Sequence, residues 1–387
     1  MKILYLVSNS SLSIEANTGY GRHIRETVQG LRRIGYTVEV MHAVEPTDSR
    51  AKETPQTVKS SRFKSLIPKV LWETIRDIKQ LKLNDSFKIR VKKKIQAFRP
   101  DFVYERTSYL SDTISVNDDH IPWFLEVNSP FVEQRQVISG RSLLQFLAHR
   151  FEKEKYKWCC GVFSVSSALS SFLQKTYGVE EQKIIVNPNG VNPSDFDVTA
   201  IKNKHLEFTF GFVGSIMAYH GLEDLLHSFS AVLKSGVSAR LLIVGDGQSI
   251  PELKMLAEGL EISNHVVFTG GVSHVQVKAY LLQMDVAIMP RSNWYGSPVK
   301  LFEYGVMGKI IIAPKQPPVE EVLQDQNDGV LVGSRLELTE AMIRISKNKE
   351  SYNLMAKSFQ EKVLNRFTWA KNVERIDTVI KRPKQSA

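Results

Sequence analysis

Residues 290–308 read PRSNWYGSPVKLFEYGVMG, and the run ahead of them, Val286–Met289, is apolar throughout, as a buried parallel strand requires. Behind the strand, Ser297 fits a helix N-cap, because its hydroxyl can accept a hydrogen bond from the first free amides. Pro298 fits the first helical position, where no amide donor is missed. Leu301, Phe302 and Val306 give the helix an apolar side. A strand that turns into a helix in this way is the building unit of an α/β sheet. It aims free N–H groups and about half a positive charge at whatever lies beyond the strand. Lys300 stands in the first turn, where a cation opposes the helix dipole, a placement that makes sense if an anion binds there. Glu303 follows one turn later, and its carboxylate can accept two hydroxyl hydrogen bonds, as a ribose diol offers.

The same alternation extends in both directions. Upstream, Phe208–Val213 reads as a strand, Glu223–Lys234 as a helix, and Arg240–Val244 and Val266–Thr269 as strands; downstream, Ile310–Ala313 is another. An earlier block repeats the pattern. Lys2–Ser8 is a strand, a helix runs from about Tyr20 to Ile34 and stops at Gly35, and Thr37–His42 is the next strand. Asp101–Tyr104, Trp123–Val127, Gly161–Val165 and Lys183–Val186 follow. Between the blocks, Pro188–Phe196 is broken by Pro, Gly and Asn. The expected architecture is α/β: two Rossmann-like, doubly wound parallel-sheet domains, residues 1–195 and 196–368, facing a cleft. Ligands in such domains sit beyond the carboxyl ends of the strands.

Composition narrows the class. The 387 residues are 42% hydrophobic and 24% charged, as in a globular protein with real cores. No apolar run approaches the ~20 residues of a membrane-spanning helix. The stretch Ile3–Val7 is shorter than the ~7–15 residues of a signal-peptide core, so a cytoplasmic location is expected. Cys159 and Cys160 are neighbours whose side chains point apart, which argues against a disulfide or metal site. The net charge is +10, and Lys59–Arg99 alone holds thirteen Lys and Arg against three Asp and Glu, an excess as large as that of the whole chain. Within Phe63–Leu83, the residues Leu66, Ile67, Val70, Leu71, Ile75 and Ile78 fall near helical spacing among basic residues, and Pro68 starts or interrupts the helix. An anionic membrane surface at the inner face of the cell is one expected partner of residues 59–99. A helix packed on its own domain with a solvated basic face fits the same residues. The segment has no recognisable nucleic-acid module or regular aromatic interleaving, so nucleic acid is not an expected partner.

Two further places bear on a ligand. Thr18-Gly-Tyr-Gly-Arg-His23 precedes the first helix, and Gly19 and Gly21 permit close backbone approach. A dinucleotide fingerprint is a poor fit, because Ile24 stands where its third glycine belongs. Asp101–Arg106 and Trp123–Phe131 both run from strand end into loop. Glu105, Arg106, Glu126 and Asn128 there suit hydroxyl binding, or, for Glu105 and Arg106, an ion pair that braces loops.

The stretch SPVKLFEYGVMGK (297–309) resembles the signature of the retaining GT-B glycosyltransferases known as group 1, or family 4. IIVNPNGVNPSDF (184–196), GFVGSIMAYHGLEDLL (211–226), LLIVGDG (241–247), VVFTGGV (266–272) and FTWAKNVERI (367–376) resemble other parts of that family in order and spacing. The resemblance covers most of 205–380 and, less specifically, the first domain. It implies that residues 369–387 form a helix crossing back to the first domain, and a tail. It implies that Glu303 holds the ribose, and that Gly296, Ser297 and the amides after Pro298, at Val299, Lys300 and Leu301, sit on the diphosphate. The backbone at Gly271 and Val272 and the Gly245–Gly247 loop would border the base, and the Gly19–Gly21 loop would face the diphosphate. Three positions depart from the family pattern. Ser215 and His220 replace an Arg and a Lys, and Tyr295 replaces an acid. Asn128 stands near where many members carry His. Arg291, Lys300 and His220 are then the groups left to meet the phosphates, with Glu126 and Asn128 on the sugar side. The implied activity is transfer of a hexosyl group from a UDP- or GDP-sugar to a glycan or lipid-linked acceptor, in surface polysaccharide or glycoconjugate synthesis. The nucleotide sugar would be a co-substrate, with no separate cofactor. No Asp-x-Asp stands at a strand end, so no metal is expected, and retention by front-side attack is implied. The fold also hosts sugar-nucleotide epimerases, hydrolases and phosphorylases. A non-enzymatic binder of anionic polymers is the remaining alternative.

Overall fold

Strands buried on both faces can satisfy their backbone only by pairing with one another, and here they do so in parallel throughout. The structure, a computed structural model, describes residues 1–10, 12, 14–15, 19–44, 68–196 and 207–381. It divides into two units, Met1–Asn187 and Pro188–Ala387.

In the first unit the strands are β1 (Lys2–Val7), β2 (Thr37–His42), β3 (Phe102–Arg106), β4 (Trp123–Val127), β5 (Gly161–Ser164) and β6 (Ile184–Val186), in the order β2-β1-β3-β4-β5-β6. Helices α1 (Gly19–Arg33), α2 (Lys69–Phe98), α3 (Phe131–Ser139), α4 (Gln145–Trp158) and α5 (Ser167–Tyr177) connect them. The order reverses between β1 and β3, which makes that pair the topological switch point. β3 runs two residues beyond the expected end, so Glu105 and Arg106 belong to the strand and are buried. α1 buries Ile24, Val28 and Leu31, the face its spacing predicts. α2 starts directly after Pro68 and continues unbroken to Phe98. Its inner face carries Phe87, Val91, Ile95 and Phe98. In its first turns Leu71, Ile75 and Ile78 project the other way and stay about 40% exposed (46%, 39% and 43%). Residues 59–67 of the basic segment, Leu66 and Ile67 included, lie outside the described residues. Cys159 is buried, Cys160 exposed, and both are free thiols.

In the second unit the strands are β7 (Phe208–Val213), β8 (Ala239–Val244), β9 (Val266–Phe268), β10 (Val286–Ile288), β11 (Ile310–Pro314) and β12 (Val330–Val332), in the order β12-β11-β10-β7-β8-β9. The switch point lies between β7 and β10. The helices are α6 (Leu222–Lys234), α7 (Ile250–Gly259), α8 (His274–Leu282), α9 (Val299–Val306), α10 (Pro317–Glu320), α11 (Arg335–Lys347), α12 (Asn353–Arg366) and α13 (Trp369–Ile380). Alternate strand residues feed two cores, as the period of two demands. Phe210, Phe212, Leu241, Ile243 and Ile312 meet α6 and α11 on one side. Val213, Leu242, Val244, Ala287 and Ile311 meet α9 and α12 on the other. The edge strand β12 is not anticipated by the sequence, since three residues behind Gly329 are too few to show a period.

Candidate functional site

The loops at the second switch point are held together by backbone contact that only glycine allows. Gly214 N donates to Val244 O at 3.0 Å, and Ile216 N donates to Asp246 O at 2.8 Å. A Cβ on Gly245 would lie 2.0 Å from Gly214 O, and one on Gly247 would lie 1.9 Å from Ile216 O. Gly214 and Gly245 also take positive φ, +147° and +134°. Gly245 N reaches Gly270 O at 3.2 Å, which brings the loop with Gly271 and Val272 alongside. Ser215 is exposed at the rim of this surface.

α9 approaches the same edge. The Tyr304 hydroxyl accepts from Val213 N at 2.9 Å and donates to Val213 O, so the helix is tied to the end of β7. The helix does not begin as the sequence predicts. Pro298 is the N-cap, α9 starts at Val299, and no side chain caps it. Ser297 is not the cap because its hydroxyl accepts from Asn189 N at 3.0 Å, while Asn189 Nδ2 donates to Ser297 O at 3.0 Å. Leu301 N bonds to Pro298 O at 3.0 Å, which leaves the amides of Val299 and Lys300 for an outside acceptor. The amides of Tyr295 and Gly296 are already taken by Asn293 Oδ1.

Lys300 lies over this edge. Its Nζ is 3.3 Å from both ring nitrogens of His220 and 4.3 Å from the Phe212 ring centre. A Cβ on Gly214 would come within 3.0 Å of it. Among the described residues no carboxylate forms an ion pair with Lys300. Burial lowers the Lys300 ammonium to about 7, with Glu303 opposing. Burial and then the Lys300 charge lower the His220 imidazole to about 3, so it is neutral at physiological pH. His220 is itself buried. Arg291 sits against the same turn, its Cβ near Gly221, but its guanidinium pairs with Asp224 at 3.0 Å. Glu303 faces His274 at 3.4 Å, beside the loop that follows β9.

The first switch point has the opposite character. Glu126 at the end of β4 is buried and pairs with Arg106 and, at 3.2 Å, with His23. Asn128 Nδ2 donates to its Oε1 at 2.8 Å, and the Tyr5 hydroxyl donates to its Oε2 at 3.3 Å. Burial alone would raise the Glu126 carboxyl, yet His23 and Arg106 outweigh it and hold the group well below the usual carboxylate range. Glu105 is equally enclosed. It accepts from Ser8 (2.6 Å), Ser111 (2.9 Å), Thr113 and the Trp123 indole (2.8 Å). Glu105 therefore braces the loops after β1 and β3. Gly19 and Gly21 open α1, with Gly19 exposed and Gly21 buried; Thr18 lies outside the described residues.

The structure thus gathers Lys300, His220, the Gly214–Ser215 and Gly245–Gly247 loops and the start of α9 at one strand edge. It gathers Glu126, Asn128 and Arg106 at another. Sequence reading missed His23, which sits one turn into α1 with its ring on Glu126; a histidine on the buried stripe beside Ile24 and Thr27 was the available signal. It also missed Asp224, which occupies Arg291. Nothing local in the sequence announces that pairing, because 67 residues separate the partners. Among the described residues no three His, Cys, Asp or Glu side chains cluster as for a metal, and no helix is long and apolar enough to cross a membrane.

Residues 194–362 match the family model "Glycosyl transferases group 1", and residues 17–195 match "Glycosyltransferase Family 4". An uncharacterized glycosyltransferase of Methanocaldococcus jannaschii is 21% identical over 304 residues, 73% of this chain and 75% of that protein. The alpha-monoglucosyldiacylglycerol synthase of Streptococcus pneumoniae is 23% identical over 225 residues, 52% of this chain and 50% of the synthase. Among solved structures, sucrose-phosphate synthase from Thermosynechococcus elongatus superposes with a TM-score of 0.76 at 16% identity, covering 99% of both chains. Anabaena HepE in complex with UDP gives 0.70 at 14% identity, covering 99% of this chain and 100% of that one.

Proposed function

The chain belongs to the group 1, family 4 glycosyltransferases of GT-B fold, and from that premise we propose that it moves a sugar from a UDP- or GDP-linked donor to a hydroxyl of a glycan or lipid-linked acceptor, with retention and without metal. The observation that carries the donor assignment is the Lys300 ammonium, held at a switch point beside two free helix amides with no carboxylate partner among the described residues. A departing nucleotide diphosphate gathers negative charge as the glycosidic bond breaks. Preorganised cations and amides at that point lower the barrier. Lys300 and the amides of Val299 and Lys300 take the phosphates in this reading. His220, being neutral, serves as a hydrogen-bond donor, and Arg291 joins by leaving Asp224. Glu303 accepts the ribose hydroxyls, and the Gly245–Gly247 and Gly271–Val272 backbones border the base. Ser297 and Tyr295 flank the sugar and phosphates. In the first unit Gly19 leaves room for a phosphate or sugar, and Asn128 orients sugar hydroxyls. Glu126 acts through Asn128 as a positioning residue. The likeness to a protein solved with UDP supports a uridine donor.

The outward stripe Leu71, Ile75 and Ile78, flanked by Lys79 and Lys82, supports a lipid-linked acceptor met at an anionic membrane surface. Flotation of the full chain with phosphatidylglycerol vesicles at low salt tests it; failure to float removes the membrane from the proposal. For the donor, calorimetric titration with UDP and GDP is decisive. One of them should bind, and Lys300→Ala should weaken that binding about tenfold or more. Equal binding by the variant, or none by the wild-type chain, overturns the assignment.

A further inference from the structure

A cavity of about 160 Å³ opens in the second unit beyond the carboxyl ends of β10, β11 and β12. Arg291, Lys315, Gln316 and Ser334 reach it from the segments behind those strands, Arg335 from the first turn of α11 and Asp224 from the first turn of α6. Neither Lys300 nor His220 lines it. Arg291 is what the two places have in common, its Cβ near Gly221 and its guanidinium on Asp224 at 3.0 Å. Two of the walls are already fixed. Gln316 Oε1 accepts from Ser292 N at 2.9 Å, and the Ser334 hydroxyl caps α11 by accepting from Glu337 N at 3.2 Å.

The charges of this cavity do not cancel. Three cations, Arg291, Lys315 and Arg335, line it with a single carboxylate, Asp224. That carboxylate is engaged by Arg291, and its Oδ1 stands 4.0 Å from Arg335 Nη1, beyond hydrogen-bond reach. Among the described residues neither the Arg335 guanidinium nor the Lys315 ammonium donates a hydrogen bond. Glu337 does not redress the balance, because it turns back on Gly333 N at 2.9 Å. α11 begins here, so its positive end adds to the same field. A concavity lined by one sign of charge concentrates counter-ions, and a guanidinium fork beside an ammonium matches the oxygens of a phosphate or carboxylate. Arg335 and Lys315 are both exposed, so a ligand from solvent can reach them. The space equals about five water molecules at ~30 Å³ each, room for an oxyanion and a few atoms of what carries it.

We propose that this cavity is a second anion site of the unit, in which Arg335 and Lys315 take a phosphate or carboxylate group that is not part of the nucleotide diphosphate. Two sources offer that chemistry: an acidic substituent on the transferred sugar, and a separate phosphorylated or carboxylated metabolite. Arg335 and Lys315 have no part in the donor assignment, and only the first source rests on the transferase reading.

The test is calorimetric titration of the full chain with inorganic phosphate, once with UDP saturating and once in the Lys300→Ala chain. One equivalent should bind in both. Arg335→Gln and Lys315→Gln should each weaken it about tenfold or more, the loss expected for one hydrogen bond to a charged group. Both side chains are exposed, so neither substitution disturbs the core, and UDP affinity on the same samples should be unchanged. Comparing UDP-glucuronate with UDP-glucose then reads the source. An acidic sugar that fills the site binds more tightly than glucose, displaces phosphate and loses its advantage in Arg335→Gln. A separate metabolite leaves the two donors equal, with phosphate bound beside either. No phosphate binding, binding by both variants equal to that of the wild type, or binding lost in Lys300→Ala overturns the site. If UDP still binds the wild-type chain in those cases the donor assignment stands. Phosphate binding that needs Arg335, in a chain that does not bind UDP or GDP, strikes the donor assignment alone.

Discussion

The two switch points share a topology and differ in their electrostatics. In the first unit the buried carboxylates Glu126 and Glu105 are saturated: Arg106, His23, Asn128 and Tyr5 surround one, and Ser8, Ser111, Thr113 and Trp123 the other. In the second, a lysine lies against a histidine and a phenylalanine ring, without a carboxylate partner among the described residues. A buried ionisable group with all its partners in place is costly to break, because removing one partner orphans the others, whereas one without a counter-charge is costly until a ligand supplies it. The first site is thus built to hold its shape around hydroxyls, and the second to wait for an anion.

The largest effect should come from Glu126→Ala. It leaves Arg106 and His23 facing each other in a buried site, and removing one partner of a buried ion pair costs about 3–5 kcal/mol. Urea unfolding of the full chain should show this loss in the transition that involves the first unit. A change below about 1 kcal/mol, the range of an exposed pair, would mean that the cluster is not what holds that edge together. The same measurement on Lys300→Ala should show no loss of stability, because no counter-charge is orphaned.

Lys300→Ala should instead appear in turnover. Removing one preorganised group that stabilises charge in the transition state typically lowers the rate by about 10²–10³-fold. Release of nucleoside diphosphate from the sugar donor reads this directly, and a rate within twofold of wild type would erase the distinction between the two sites. Arg291→Ala is a sharper companion. If the guanidinium stays with Asp224 in the working enzyme, the variant loses little, and the phosphate charge rests on Lys300 and the helix amides alone.

Much of this was legible in the sequence, and for identifiable reasons. Parallel strands must be apolar along their whole length, so Phe208–Val213 and Trp123–Val127 are found with their bounds intact. Lys300 is conspicuous because a cation in a first helical turn needs an explanation. The cap was misread because Ser297 has the right chemistry for an N-cap, but its hydroxyl is claimed by the amide of Asn189, 108 residues away. Local preference gives way wherever a distant partner competes for the same atom. The burial of His220, too, follows only from the packing of Phe212 and Lys300 around it. The pairing of Asp77 on α2 with Arg135 has no local signature at all. Asp77 and Arg135 lie 58 positions apart, and the low polarity contrast of α2 hides that its inner face is polar near Asp77 while its outer face is apolar near Ile75.

The smallest of these effects, and the most specific, concerns pH. In the ligand-free chain burial has lowered Lys300 to about 7; a bound diphosphate favours the ammonium and raises it again. The complex therefore holds more protons than the free components, and affinity must fall as protons are withdrawn. UDP should bind with full strength below pH 7 and lose up to about tenfold for each pH unit above it, until the raised value in the complex is reached. Calorimetry in buffers of different ionisation enthalpy should register uptake of a fraction of a proton near pH 7.5. Folding stability runs the other way. With the folded value below that of the unfolded chain, the unfolded state binds more protons between about 7 and 10.5, so the contribution of Lys300 improves as pH rises through that window. A Lys300→Met chain should show neither slope. If its UDP affinity, however weak, falls with pH as steeply as that of the wild type, the titrating group is elsewhere, and the difference between the two switch points lies in geometry and not in charge.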